Sequence, residues 1–226
     1  MDDIMLSPSG QADLKKIAEA DGTGSFDEER TAAGGNIAKH TGCTSVVVLV
    51  TKDAFYCANA GDSRSVLARK QPNGSLEVIA LSDDHKPDNL DEKKRIEAAG
   101  GFVEENRVNG SLNLSRSLGD FEYKSNTSKN YKDQMVTCFP EVRKVTRSDR
   151  DSFLVLACDG IWDCLNNEEC VQMLQKHMAA RNTANLAKAT ATCVEQMFDK
   201  IVAKDILQSS GLGTDNMTAV IIEFLR

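Results

Sequence analysis

The sequence of 226 residues lacks the features that mark several large classes of protein. No apolar run approaches the ~20 residues of a membrane-spanning helix, so no membrane span is predicted. The seven cysteines include no Cys-x-x-Cys pair and the three histidines show no helical pairing, so neither disulfides nor zinc are indicated. No Cys-x5-Arg segment occurs, so cysteine-dependent phosphatase chemistry is not supported. We expect reduced cysteines, with Cys43, Cys57 and Cys158 buried among apolar strand residues.

Basic residues are fewer than acidic residues. The sequence has 27 Lys and Arg against 34 Asp and Glu, a net charge of −7, so nucleic acid is not an expected partner. There is no Walker-A loop, and the segment Gly61-Asp62-Ser63-Arg64-Ser65 lacks the final glycine of a nucleophile elbow. Met1-Asp2-Asp3 does not open like a signal peptide, which predicts an intracellular protein, either cytoplasmic or nuclear.

The sequence does contain a series of short β-branched runs separated by turns. This pattern predicts seven or eight strands, mostly in hairpin order, and the apolar run Ser45–Val50 is typical of a strand buried on both faces. Helices are predicted at 90–99, at about 167–178 and at about 184–207, the second with Asn166 and Glu169 as an N-cap pair. The order of elements indicates an antiparallel α+β fold and not a doubly wound sheet.

Residues 1–41 differ from the rest of the chain, combining a short helix with an acidic, glycine-rich loop ahead of a domain over 42–226. Residues 19–30 have the skeleton of a calcium-binding EF-hand loop. However, Arg30 stands where the cation needs a bidentate glutamate, and Glu19 replaces the usual first aspartate. A solvated acidic loop is therefore favoured, and a calcium-regulated adaptor is a weaker alternative.

Acidic residues stand at the ends of several predicted strands. Asp159 follows the predicted strand 152–158, and Asp163, four residues on, would share a helical face with it. Asp215 precedes the last strand, and Asp62 lies between two others. Each element alone is more often an ordinary turn. Carboxylates gathered from separate strand ends repel one another unless a cation lies between them, and all-oxygen ligands suit Mg²⁺ or Mn²⁺.

Seven short motifs in a fixed order carry a family resemblance. Over residues 42–224 the sequence resembles the metal-dependent protein phosphatase family of type 2C. The matching motifs are Gly42-Cys43-Thr44-Ser45, Ala60-Gly61-Asp62-Ser63-Arg64-Ser65, Leu81-Ser82-Asp83-Asp84-His85-Lys86-Pro87, Leu114-Ser115-Arg116-Ser117-Leu118-Gly119-Asp120, Pro140-Glu141-Val142, Ala157-Cys158-Asp159-Gly160-Ile161-Trp162-Asp163 and Thr214-Asp215-Asn216-Met217-Thr218.

The resemblance implies two antiparallel β-sheets packed face to face, with helices on both sides. It implies a binuclear Mg²⁺ or Mn²⁺ centre, where metal-bound water attacks the phosphorus of phosphoserine or phosphothreonine in a phosphoprotein substrate. By motif match, Asp159 and Asp215 would bind the first catalytic metal. Asp62 and Asp163, with Asp159, would form a weaker third-metal site.

Other motif residues would support this site without binding metal. Gly160 and Asn216 would support the neighbouring ligands, and Arg116 is interpreted as a structural ion-pair partner near the site. His85 is interpreted as structural, with general-base catalysis the weaker alternative. Residues 121–134, which are polar and predict a mobile loop, match the variable flap that the family associates with substrate choice.

The resemblance is incomplete at the amino-terminal end. Members of the family carry a Glu-Asp pair, an Asp-Gly-His-Gly-Gly segment that supplies the bridging carboxylate and the general-acid histidine, and a phosphate-binding arginine. None of these is present, and His40 is no substitute for that histidine. The sequence thus resembles the carboxyl-terminal two-thirds of the domain, as a truncated chain, a processed chain or a true short form.

Two functions follow from this comparison. The first is a serine/threonine protein phosphatase in which this chain carries part of the metal site. The second is a catalytically inactive relative that binds a phosphoprotein or a regulator without turnover. A domain without its first strands is expected to expose sheet edges and apolar core, and so to associate.

Overall fold

The computed structural model describes residues 1–20, 39, 41–181 and 183–225. Its helices are α1 (Asp2–Leu6), α2 (Pro8–Ala20), α3 (Leu90–Ala98), α4 (Asp159–Trp162), α5 (Asn167–Ala180) and α6 (Leu186–Ile201). Its strands are β1 (Gly42–Cys43), β2 (Ser45–Val50), β3 (Ala54–Ala60), β4 (Arg64–Lys70), β5 (Leu76–Ala80), β6 (Val103–Glu104), β7 (Arg107–Val108), β8 (Leu118–Gly119), β9 (Glu141–Thr146), β10 (Asp151–Ala157) and β11 (Ala219–Glu223). None of the described helices is both long enough and apolar enough to cross a bilayer.

The chain divides into two compact units. Unit 1 comprises residues 1–45, 60–62 and 85–140, and unit 2 comprises residues 46–59, 63–84 and 141–226. Among the described residues, unit 1 has one buried apolar cluster and unit 2 has two.

Unit 2 contains two antiparallel sheets. The first has the strand order β11-β10-β4-β5 and the second the order β2-β3-β9. Alternate residues of each strand face the other sheet, as the two-residue period of a strand requires. The buried cluster between them is formed by Phe55, Cys57, Leu67, Leu81 and Leu154. The predicted α+β fold with two packed antiparallel sheets is confirmed.

Helices α4, α5 and α6 cover the other face of the four-stranded sheet. Val66 and Val155 on that face pack in one cluster with Trp162, Leu174 and Met197. Helix α5 begins with the predicted capping box, in which the Asn166 side chain accepts from the Glu169 N–H and the Glu169 side chain accepts from the Asn166 N–H.

Helix α6 ends at Ile201, so the predicted end near residue 207 was wrong. Val202 is extended, and the Ala203 N–H donates to the Gly213 carbonyl at 2.9 Å. The apolar residues that suggested further helix do not pack against the core, since Ile206 and Leu207 are largely exposed.

Strand β2 is not buried on both faces, contrary to the prediction. Val46 and Val48 pack between the sheets, whereas Val47 and Leu49 on the opposite face are 57% and 61% exposed. An unbroken apolar run cannot show which of its two faces will be covered, because that depends on distant elements. Cys43 is also exposed and not buried, since β1 is a two-residue strand paired with β8.

Unit 1 contains helices α1, α2 and α3, the hairpin β6–β7 and the strand pair β1–β8, and its buried cluster is formed by Ile96, Val108 and Val136. Asn109 and Gly110 both have positive φ, and the Val108 N–H donates to the Leu112 carbonyl at 2.8 Å, which confirms the turn expected from this Asn-Gly pair.

The segment 121–134 of unit 1 begins as a 3-10 helix, Phe121–Lys124, and continues as turns. The buried Gln134 side chain donates to the carbonyls of Asn126 and Lys129, at 2.9 and 3.0 Å. These bonds tie the end of the segment back to its middle.

Candidate metal centre

Asp159 lies where β10 ends and helix α4 begins, in unit 2. Cys158 is extended, and the Asp163 N–H donates to the Asp159 carbonyl at 2.7 Å. Asp159 and Asp163 therefore lie one helical turn apart, as the sequence predicted. Asp159 is half-buried and Asp163 is exposed, so both carboxylates stand at the surface end of a buried strand.

The second acidic loop adjoins the first. Strand β11 is antiparallel to β10, with Ala157 opposite Ala219, so the loop that leads into β11 lies beside the end of β10. The Cys158 N–H donates to the Thr218 carbonyl at 3.2 Å, and the Cys158 thiol donates to the Asn216 carbonyl at 3.3 Å. The segments 158–163 and 214–218 are thus held together by hydrogen bonds from the Cys158 backbone and thiol.

The two loops approach each other closely at Gly160. A Cβ atom added to Gly160 would lie 2.3 Å from the Asn216 carbonyl oxygen and 3.6 Å from the Asp215 Cβ. Only glycine permits this approach. Asp215 is itself oriented by its own loop, because its Oδ1 accepts the Asn216 N–H at 2.6 Å. The structure therefore brings Asp159 and Asp215 to neighbouring loops, with Gly160 and Asn216 at their contact.

Asp62 belongs to unit 1, whereas Asp159, Asp163 and Asp215 belong to unit 2. Asp62 is 2% exposed, and the Lys86 ammonium donates to its Oδ2 at 2.6 Å. The preceding Gly61 has a φ of +126°, which places this turn in a region of backbone conformation that glycine favours. Sequence reasoning missed the Lys86 pair, although both residues lie within the quoted motifs.

Arg116 is confirmed as an ion-pair partner. Its Nη2 donates to Glu92 Oε1 at 2.6 Å, and Arg95 Nη1 donates to Glu92 Oε2 at 2.7 Å. Burial alone would raise the pKa of Glu92, but bonds and charges from Arg116, Arg95 and Ser115 together lower that pKa to about 2. The sequence did not indicate that Glu92 is buried, because a glutamate in the first turn of a helix is usually exposed to solvent.

His85 is buried and lies against the chain at Gly61. Its Nδ1 is 3.2 Å from the Gly61 nitrogen and 3.0 Å from the Gly61 oxygen. These contacts with the backbone support the structural interpretation of His85. Most of the acidic loop considered for calcium, residues 21–30, lies outside the described residues.

Arg64 was not singled out from the sequence, yet it joins three parts of unit 2. Its Nε and Nη2 donate to the two oxygens of Asp84, each at 2.8 Å, and its Nη1 donates to Asn167 at 2.7 Å. Its guanidinium also lies 5.0 Å from the centroid of the Trp162 ring. The hydrogen bond to Asp84 raises the pKa of Arg64. Arg64 thus fixes α4, which starts with Asp159, against β4.

The donor chemistry fits a hard cation. Asp159, Asp163 and Asp215 offer carboxylate oxygens, which Mg²⁺ and Mn²⁺ prefer over nitrogen or sulfur. Within the described residues, however, no three His, Cys, Asp or Glu side chains already converge as a metal-binding group. The structure therefore shows adjoining acidic loops and not a finished metal cage.

Fold and site together define an α+β protein with acidic loops at the ends of two paired strands. The family model described as Protein phosphatase 2C matches residues 6–205, so the chain belongs to the protein phosphatase 2C family. The resemblance stated from the motifs is confirmed.

Individual relatives agree with this assignment. The chain is 40% identical over 227 aligned positions to Protein phosphatase 2C 1 of Paramecium tetraurelia, covering 100% of this chain and 68% of that protein. It is 46% identical to Protein phosphatase 2C homolog 2 of Schizosaccharomyces pombe, covering 82% of this chain and 47% of the relative. The solved serine-threonine phosphatase 2C of Toxoplasma gondii is similar with a TM-score of 0.62 and 25% identity, over 96% of this chain and 64% of that one. The chain thus spans about two thirds or less of these relatives.

Proposed function

We propose that this chain serves in the metal-dependent dephosphorylation of phosphoserine and phosphothreonine on proteins. The observation that carries the proposal is the contact at Gly160, which holds the loop of Asp159 against the loop of Asp215. The family supports the same reading, since the relatives that the chain matches are named protein phosphatases.

In this proposal Asp159 and Asp215 hold the first of two catalytic Mg²⁺ or Mn²⁺ ions. Asp163, one helical turn after Asp159, contributes to a weaker third ion, and a metal-binding role for Asp62 stays a prediction from the motifs. When bound, the ions supply positive charge that neutralises the phosphoryl oxygens of the substrate. Gly160 positions the carboxylates, because it allows the loop of Asp159 to meet the loop of Asp215.

A second candidate is a non-catalytic phosphoprotein-binding form. One observation favours it, since no three His, Cys, Asp or Glu side chains among the described residues converge as a metal-binding group. Binding of Mn²⁺ and turnover of a phosphate ester must therefore be measured separately.

We expect Asp159→Asn and Asp215→Asn each to weaken Mn²⁺ binding at least about tenfold, because each removes a charged oxygen ligand. Isothermal titration calorimetry measures the affinity, and hydrolysis of p-nitrophenyl phosphate with and without Mn²⁺ measures turnover. Asp199→Asn, an exposed change on α6, is the matched control and should leave both unchanged.

The outcomes separate the two functions. Mn²⁺-dependent hydrolysis that disappears in Asp159→Asn supports the phosphatase. Mn²⁺ binding without hydrolysis by a folded chain favours the non-catalytic form. If the folded chain binds no Mn²⁺, or if Asp199→Asn weakens binding as much as Asp159→Asn, the proposed metal site is wrong.

We also propose that the chain associates with itself through its exposed sheet surfaces. Leu49 on β2, Val142 on β9 and Val220 on β11 are each more than half exposed. Apolar surface of this kind on strands favours pairing between copies. Sedimentation velocity should show oligomers that Leu49→Lys reduces, whereas Leu207→Lys, which changes an exposed leucine outside the sheets, should not. A monomeric parent chain would contradict this expectation.

A further inference from the structure

Unit 2 contains a cleft that the proposed phosphatase function does not use. It lies between the last turn of α5 and the first turns of α6, and its volume is about 470 Å³. Clefts of roughly 300–1,000 Å³ are the usual size for small-molecule sites. The described residues that line it include two permanent cations, Arg181 and Lys188, as well as His177, and none of them is Asp or Glu. Because Arg181 is paired with Glu223, Lys188 supplies most of the positive charge that the lining of the cleft presents.

Arg181 is the most constrained of these side chains. It is 9% exposed, its Nη2 donates to both oxygens of Glu223 at 2.6 and 2.7 Å, and its Nη1 donates to Thr190 Oγ1 at 3.1 Å. A carboxylate that binds the guanidinium fork commonly takes Nε and one Nη together. Here both oxygens of Glu223 contact Nη2, and Nε is buried without a hydrogen-bond partner among the described residues.

An unpaired buried N–H is costly, so Arg181 would gain from a side-chain shift that brings its Nε to an oxygen of a bound anion. The rest of the wall is partly apolar, because three alanines, Ala180, Ala184 and Ala189, line the cleft. We propose that this cleft binds a small organic anion whose phosphate, phosphonate or carboxylate group meets Arg181 and Lys188 while a compact apolar body rests on the alanines. This site is separate from the metal proposal and does not depend on catalysis.

The alanine methyl groups provide a local readout. The full chain, with ¹³C-labelled alanine methyls and no added metal, would be titrated with phenylphosphonate or benzoate up to about 10 mM, where millimolar affinities are measurable. We expect saturable shifts at the methyls of Ala180, Ala184 and Ala189, and none at Ala54, which is buried on β3. Comparing the two probes identifies the preferred head group.

A charge variant and a neutral probe complete the test. Lys188→Gln should weaken the binding of the better probe by about fivefold or more, as loss of a charged hydrogen bond implies. Lys200→Gln, an exposed change on the same helix outside the cleft, should leave it unchanged. The proposal is overturned if neither anion shifts the three methyls of a folded chain, if benzyl alcohol binds as tightly as the anions, or if Lys200→Gln has the same effect as Lys188→Gln.

Discussion

Gly160→Ala is expected to lower the free energy of unfolding by about 3 kcal/mol, the upper range for overpacking a buried site. The added Cβ would lie 2.3 Å from the Asn216 carbonyl oxygen, which is a backbone atom and cannot rotate aside. The loop of Asp215 must therefore move away from the loop of Asp159. We expect Mn²⁺ binding to fall with stability, measured by thermal unfolding and by calorimetric titration.

Gly74→Ala is the control for the loss of a glycine within the same unit. A Cβ at Gly74 meets nothing within 4 Å, and only its positive φ of +85° opposes the change. We expect that substitution to lower the free energy of unfolding by about 1 kcal/mol and to leave the affinity for Mn²⁺ unchanged. Equal behaviour of the two variants would show that the close contact at Gly160 is unimportant.

Glu92→Gln is expected to lower the free energy of unfolding by about 3 kcal/mol, since it leaves two half-buried arginines without their buried anion. Glu92 is 4% exposed, and both Arg95 and Arg116 donate to its carboxylate. Denaturation in urea measures the loss. Asp91→Asn is the matched control, because its carboxylate is solvated on the same helix and its weak pairing with Lys94 contributes little.

The same carboxylate predicts a dependence of stability on pH. Its pKa falls from 4.5 to about 2 in the folded chain, so its contribution is fully present above about pH 4.5 and is lost as the pH falls towards 2. The parent chain should therefore lose more stability than Glu92→Gln over that interval. If both lose stability in parallel, Glu92 does not carry this part of the acid sensitivity.

Local pattern predicted much of the secondary structure. The run at Ser45–Val50 forms a strand with those bounds, because its β-branched side chains favour the extended backbone. The capping box of α5 was also predicted, since both of its hydrogen bonds link residues three apart. Such features depend on neighbours along the chain, which the sequence displays directly.

The end of α6 could not be predicted in this way. Its apolar pattern continues past Ile201, but the chain stops because Ala203 bonds to Gly213, ten residues away along the chain. The exposed face of β2 was missed for a similar reason, since burial of Val47 and Leu49 depends on what packs on the sheet.

The sequence by itself determined the family, the α+β class and the identity of the acidic residues, because these depend on motifs and on local periodicity. The order of the strands in the sheets, β11-β10-β4-β5 and β2-β3-β9, joins distant segments and was decided by the tertiary structure. Only the tertiary structure decided which of these residues meet. It placed Gly160 against Asn216, paired Asp62 with Lys86, and revealed Glu92 as a buried anion. These outcomes depend on contacts between residues far apart in sequence, where packing distance and desolvation, and not local preference, set the energy.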